Sequence, residues 1–118
     1  YDKGIYKYPL QGGKDRFHPT QKSLRLFEDL IQKHSNEGDV VLDCFAGSAT
    51  TAIAAIKTNR RFTGCESNEK FFSKAEERID RCTSETLEKC QAEVKETLEK
   101  CQAEVKRLNE KIKYLHEE

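Results

Sequence analysis

The 118-residue chain contains no methionine and no tryptophan, and its two prolines, Pro9 and Pro19, are not adjacent. A Pro-Pro pair is therefore absent. Its five cysteines, at positions 44, 65, 82, 90 and 101, form no Cys-x-x-Cys pair and have no histidine at metal-ligand spacing. That pattern argues against a zinc site, so no metal is expected, and the thiols read as reduced, half-buried small hydrophobes. No apolar run approaches the roughly 20 residues that span a bilayer. No secretion-signal pattern is present either, so the expectation is a cytoplasmic setting without membrane contact. With no methionine and Tyr1 first, the chain either lacks its natural start or is a piece of something longer.

Hydrophobic residues make up 36% of the chain and charged residues another 36%. That suffices for one modest core and leaves the remainder as solvated helix. Residues 1–82 carry 14 Lys/Arg against 12 Asp/Glu, and residues 83–118 carry 7 against 9. Within the first 25 residues Lys3, Lys7, Lys14, Arg16, Lys22 and Arg25 face only Asp2 and Asp15. Such local basicity suits phosphate contact, and scattered solubilising charge explains it equally well. The net charge of zero is not that of an autonomous nucleic-acid binder.

Hydrophobic periodicity divides the chain. A helix opening near Thr20 or Ser23 carries Leu24, Phe27, Leu30 and Ile31 on one face, and Gly38 supplies its stop. Residues 39–43, Asp-Val-Val-Leu-Asp, read as a short strand of the buried type. A second helix is expected over about 50–58, a second strand over 61–66, and a third helix from about Ser67 or Asn68. Strand, helix, strand is a βαβ unit with a right-handed crossover and a parallel sheet. Two strands do not complete such a sheet, so the fold is incomplete as written.

From Phe71 onward nothing breaks a helix. Residues 85–95, Glu-Thr-Leu-Glu-Lys-Cys-Gln-Ala-Glu-Val-Lys, recur unchanged at 96–106. Leu87, Cys90, Val94, Leu98, Cys101, Val105, Leu108, Ile112 and Leu115 follow one another at spacings of three and four. This narrow stripe is the seam of a coiled coil or of a helical hairpin, the alternative being a solitary helix held by i,i+4 charge pairs. The expected division is thus an α/β domain over 1–82 and a helical tail over 83–118.

Chemistry gathers after the first strand. Asp43 ends it, and Phe-Ala-Gly-Ser-Ala-Thr-Thr follows at the carboxyl edge of the sheet, where doubly wound folds bind ligands. Gly47 permits close backbone approach, and Ser48, Thr50 and Thr51 can cap the next helix or bind a polar group. The loop is neither Gly-x-Gly-x-x-Gly nor a P-loop, which disfavours a pyrophosphate cradle and with it a dinucleotide oxidoreductase. Glu66, about 20 residues on, stands where an acid accepts both hydroxyls of a ribose, or simply favours a helix start through the macrodipole.

These strings together, His-Pro-Thr-Gln-Lys at 18–22, Val-Val-Leu-Asp-Cys-Phe-Ala-Gly-Ser-Ala-Thr-Thr at 40–51 and the segment around Glu66, resemble the C-terminal half of amino-group DNA methyltransferases. Their order matches the permuted class that methylates adenine N6 or cytosine N4, over about residues 17–80. The resemblance implies a partial Rossmann-like S-adenosylmethionine-dependent methyltransferase fold. Carried over, Thr20 and Lys22 address the carboxylate of the cofactor's methionine end, Asp43, Phe45, Gly47 and Ser48 form the loop around it, and Glu66 holds the ribose. Phe45 reads equally well as core packing. The family usually has Pro at the position of Cys44, Gly at Ala49 and Pro at Ser23. The Ala49 methyl is expected near the cofactor, at a cost in affinity.

Family catalysis uses an Asp/Asn/Ser-Pro-Pro-Tyr/Phe motif whose carbonyls hold the target amino group while the ring stacks on the flipped base. With no Pro-Pro pair, no catalytic residue is assigned here. The reading is a cofactor-binding portion that acts on DNA only when another segment or chain supplies that motif. The alternative is a non-catalytic derivative whose helix mediates oligomerisation, by self-association of the coiled coil, or protein binding.

Overall fold

The computed structural model describes residues 5–9, 16 and 21–116. Thr20, with the rest of 17–20, and Lys3 and Lys14 lie outside the described residues. Five elements follow in order: α1 (Leu24–His34), β1 (Val40–Asp43), α2 (Thr50–Lys57), β2 (Arg61–Gly64) and α3 (Glu69–His116). The chain divides into two compact units, Tyr1–Ser84 and Glu85–Glu118. No helix among the described residues is long and apolar enough to cross a membrane.

β1 and β2 pair in parallel, Val40 opposite Arg61 through Asp43 opposite Gly64. Among the described residues, only one face of this two-stranded sheet is covered. Val41 and Phe62 turn towards Ile31 of α1, with Leu24 and Phe27, and towards Ala54 and Ala55 of α2. Phe62 also reaches the second cluster, in which Ala49 and Ala52 meet Ala75 and Ile79 of α3. The opposite face is open: Val40 is 53% and Leu42 64% exposed. The apolar run 40–42 reads as a strand buried on both faces, yet the strand alternates exposed and half-buried because all three helices lie on one side. Covering what remains exposed of Val40 and Leu42 would contribute roughly 1–2 kcal/mol per side chain. The architecture is an incomplete Rossmann-like α/β layer.

Several boundaries differ from the sequence reading. Ser23 occupies the N-cap position of α1, but its hydroxyl makes no capping bond. The helix stops at His34, before Gly38, because Ser35 turns extended and its hydroxyl donates to the Ile31 carbonyl at 2.6 Å. Gly38, at φ 84°, instead turns the chain into β1, its N–H donating to the Asn59 carbonyl at 2.8 Å. Arg60 fastens this corner, its guanidinium donating to the Ser35 carbonyl at 2.7 Å and hydroxyl at 3.1 Å and to the Thr58 carbonyl. Of the cysteines only Cys82 is buried. Cys44 and Cys65 follow the strand ends, and Cys90 and Cys101 sit on a helix face that nothing among the described residues covers, so all four are exposed.

α2 ends as its sequence dictates. Asn59 takes the left-handed conformation at φ 59°, its N–H donating to Ile56 O at 3.2 Å while Arg60 N–H donates to Ala55 O at 2.8 Å. That pair of bonds is a Schellman motif with Asn in the place usually taken by Gly. α3 opens on Asn68, whose side-chain oxygen accepts the Phe71 N–H at 3.1 Å. It then runs 48 residues without a break. A hairpin within the tail is thereby removed, since no turn interrupts the stripe. Leu87, Val94, Leu98, Val105, Leu108 and Ile112 are 46–68% exposed.

Candidate functional site

Beyond the ends of β1 and β2 the two segments stay knitted together for a few more residues. Cys65 N–H donates to the Asp43 carbonyl at 3.0 Å, and Ala46 N–H donates to the Cys65 carbonyl at 2.8 Å. The backbone of 44–49 therefore arches over the carboxyl edge of β2 rather than hanging free. Asp43 braces the arch: one carboxylate oxygen accepts the Phe45 N–H at 3.0 Å and the other accepts the Thr51 hydroxyl at 2.5 Å. At the crown, Gly47 takes φ 52°, a conformation suited to glycine, and its N–H donates to Glu66 Oε2 at 2.8 Å. Glu66 Oε1 accepts the Asn68 N–H at 2.8 Å. The acid thus joins the loop to the start of α3.

Backbone N–H groups at the carboxyl edge of a parallel sheet are the usual ligand donors of doubly wound folds. Those of Phe45, Ala46, Gly47 and Ala49 are instead satisfied within the chain. A loop whose donors are occupied presents hydroxyls, carbonyls and carboxylates, not an anion cradle. Ser48, expected to cap α2 or meet a ligand, is buried with its hydroxyl 3.1 Å from that of Thr50. The cap position belongs to Ala49, at φ 60°, with no side-chain capping bond. Ala49 is fully buried among Ala52, Ala75, Phe62 and Ile79. Its methyl lies in the core, away from the cavity wall, so the substitution acts through backbone strain.

A cavity of about 390 Å³ opens at this edge, within the range of small-molecule sites. Lys22, Asp43, Phe45, Gly47, Ser48 and Glu66, six of the seven residues singled out from sequence, line it. The seventh, Thr20, is outside the described residues. Phe45 is 90% exposed, which removes its core-packing alternative. Phe27, Ala46, Thr50 and Thr51 complete the wall.

Two supporting residues escaped the sequence reading. Arg78 of α3 donates to the Ser48 carbonyl at 2.7 Å and the Thr50 hydroxyl at 3.3 Å, tying the loop to α3. A single Arg in a charged helix carries no mark of that role. Gly64 faces Asp43, and a Cβ there would stand 2.6 Å from the Asp43 carbonyl oxygen and 2.5 Å from Phe62 Cζ. Its position two residues before Glu66 was the available signal. Among the described residues no cluster of three His, Cys, Asp or Glu could hold a metal.

With this geometry in view, comparison with known proteins is specific. The family model described as DNA methylase, of the N6/N4 type, matches residues 2–77. The chain is 48% identical over 58 residues to the type II methyltransferase M1.MboII of Moraxella bovis, covering 49% of this chain and 22% of that protein. It is 46% identical over 63 residues to the DNA adenine methyltransferase YhdJ of Escherichia coli K12, covering 53% and 21%. In structure it resembles the M1.HpyAVI–SAM complex with a TM-score of 0.57 at 40% identity, over 67% of this chain and 42% of that one. The chain spans about a fifth of the length of these two curated relatives.

Proposed function

The chain belongs to the N6/N4 DNA methylase family, and from that membership and the cavity's lining we propose that residues 1–82 are the S-adenosylmethionine-binding portion of a DNA amino-methyltransferase. Its target is adenine N6 or cytosine N4. A Pro-Pro-Tyr-type catalytic motif comes from another segment or chain. The observation that carries the cofactor reading is the Glu66 carboxylate at the cavity wall.

The donor set suits such a ligand. A carboxylate offers about four lone-pair sites, and two are used by Gly47 and Asn68, leaving about two for a vicinal diol. Lys22, exposed at the same cavity, supplies a cation for an amino-acid carboxylate, and the Phe45 ring offers an apolar face. Asp43 does its work indirectly, holding the loop in shape with both oxygens. When bound, the cofactor supplies an electrophilic methyl group. This chain's part is to bind and orient; acceptance of the target amino group's hydrogen bonds belongs to the completing motif.

Calorimetric titration of the chain with S-adenosylmethionine, and with its demethylated product, tests the reading. Saturable binding of both at a 1:1 ratio is expected. Absence of heat in a chain whose circular dichroism shows it folded would overturn it.

A further inference from the structure

Cys44 and Cys65 are distant in sequence and side by side in the fold. The parallel register ends with Asp43 opposite Gly64, so the next position on each strand is a cysteine. Backbone bonds carry that register past the strand ends. Cys65 N–H donates to the Asp43 carbonyl at 3.0 Å, and the Cys65 carbonyl accepts the Ala46 N–H at 2.8 Å. Cys65 is thereby fixed against the stretch 43–46, in which Cys44 lies.

Both thiols belong to one face. Side chains alternate along a strand. Asp43 turns to the covered face, where its carboxylate meets the Thr51 hydroxyl of α2, and a Cβ on Gly64 would lie against the Phe62 ring. One position on, Cys44 and Cys65 fall on the opposite, open face, and both are exposed. Neighbouring strands lie about 4.7–4.9 Å apart, inside the roughly 4.4–6.8 Å that separates the Cα atoms of a disulfide. The Cβ atoms of a disulfide stand somewhat closer, at about 3.5–4.5 Å. Cys44 begins the turn after β1, outside the ladder, so a small backbone adjustment there closes the gap.

The geometry points to Cys44 and Cys65 as a dithiol modification site, which a small-molecule disulfide converts to an intrachain bridge pinning the loop after β1 to the end of β2. One thiolate attacks glutathione disulfide, forming a mixed disulfide and releasing one glutathione. The second thiolate attacks the protein sulfur of that mixed disulfide and releases the other. The two protein thiols give up two electrons and two protons, and the glutathione disulfide is reduced to two thiols. No other thiol pair is placed this way. Cys82 is buried, and Cys90 and Cys101 are eleven positions apart on α3, about 16 Å at a rise of roughly 1.5 Å per residue. Phe45 and Glu66, the neighbours of the pair, stand in the cavity wall, so the bridge stiffens its rim. The proposal does not rest on the cofactor reading, and its test reads sulfur alone.

The experiment uses the full chain with Cys90→Ser and Cys101→Ser, which removes cross-links between tails. It is equilibrated in mixtures of reduced and oxidised glutathione, quenched with acid, alkylated and digested with trypsin without reduction. Residues 34–57 hold Cys44 and residues 62–70 hold Cys65, in separate peptides. The expected product is those two peptides joined. Its equilibrium constant should exceed that of the same chain in urea on the order of tenfold or more, because the fold holds the thiols together. Adding Cys44→Ser or Cys65→Ser should stop the reaction at the glutathione adduct of the remaining thiol. A constant no larger than in urea, or a parent chain carrying glutathione on both thiols in place of the bridge, would overturn the proposal.

Discussion

Gly47 and Glu66, 19 positions apart in sequence, are joined directly: the glycine N–H donates to the glutamate Oε2 at 2.8 Å. The acid that faces the cavity therefore also fixes the shape of the loop beside it. Its removal is expected to act twice.

Glu66→Ala deprives a bound ribose of a charged acceptor, a loss of roughly 1.5–3 kcal/mol in cofactor affinity. It also leaves the Gly47 and Asn68 N–H groups without their partner. Titration calorimetry and a thermal melt on the same samples separate the effects. Unchanged affinity would take Glu66 out of the site, whatever the melt shows.

Methyl transfer by the isolated chain is expected to be at background. No Pro-Pro-aromatic sequence occurs in it to hold a flipped base and its amino group. Radiolabelled transfer to mixed-sequence DNA measures this, and turnover above background would contradict the division of labour proposed above.

Gly64→Ala should be among the costliest single-methyl changes in the fold. The new Cβ meets the Phe62 ring, which is packed against both core clusters, and the Asp43 carbonyl, which is backbone and bonded to Cys65. Overpacking of this kind costs typically 1–3 kcal/mol. A denaturant titration should place it in the upper half of that range, and a neutral result would mean that the strands separate freely.

The two non-glycine residues in the left-handed region, among those described, meet the same substitution with different terms in the balance. Asn59→Gly relieves φ 59° at an exposed position and loses no packing, but Asn already tolerates this conformation and the unfolded chain becomes freer, so a change within about 0.5 kcal/mol is expected. Ala49→Gly relieves φ 60° by about 1–2 kcal/mol. It loses a fully buried methyl worth about 0.8 kcal/mol, and the freer unfolded chain takes back more. Near-neutral stability should result, with cofactor affinity unchanged because the methyl is in the core. Paired melts and titrations decide both.

Much of this was legible beforehand, for identifiable reasons. The helix face of Leu24, Phe27 and Ile31 and the two strands follow from periodicity, whereas the cavity residues were grouped through the resemblance of separate, ordered motifs to a family. What escaped depends on contacts between distant residues. Neither the Arg78 bond to the Ser48 carbonyl nor the internal use of the loop's N–H groups leaves a trace in hydropathy. The open face of β1 escaped for a related reason: Val-Val-Leu is written for cover on both sides, and the local pattern is blind to where that cover comes from.

Eight consecutive positions, 48–55, are buried, and they are filled by Ser, Ala, Thr, Thr, Ala, Ile, Ala and Ala. α2 is wedged between α1, the sheet and α3, so all but one of these sites admit only a small side chain. Random mutagenesis should find this stretch almost frozen while the charged flanks of the tail accept wide exchange. Over 48–55 confinement outweighs ligand contact: Ser48, Thr50 and Thr51 also line the cavity, and the other five positions are filled only because their neighbours leave that much room.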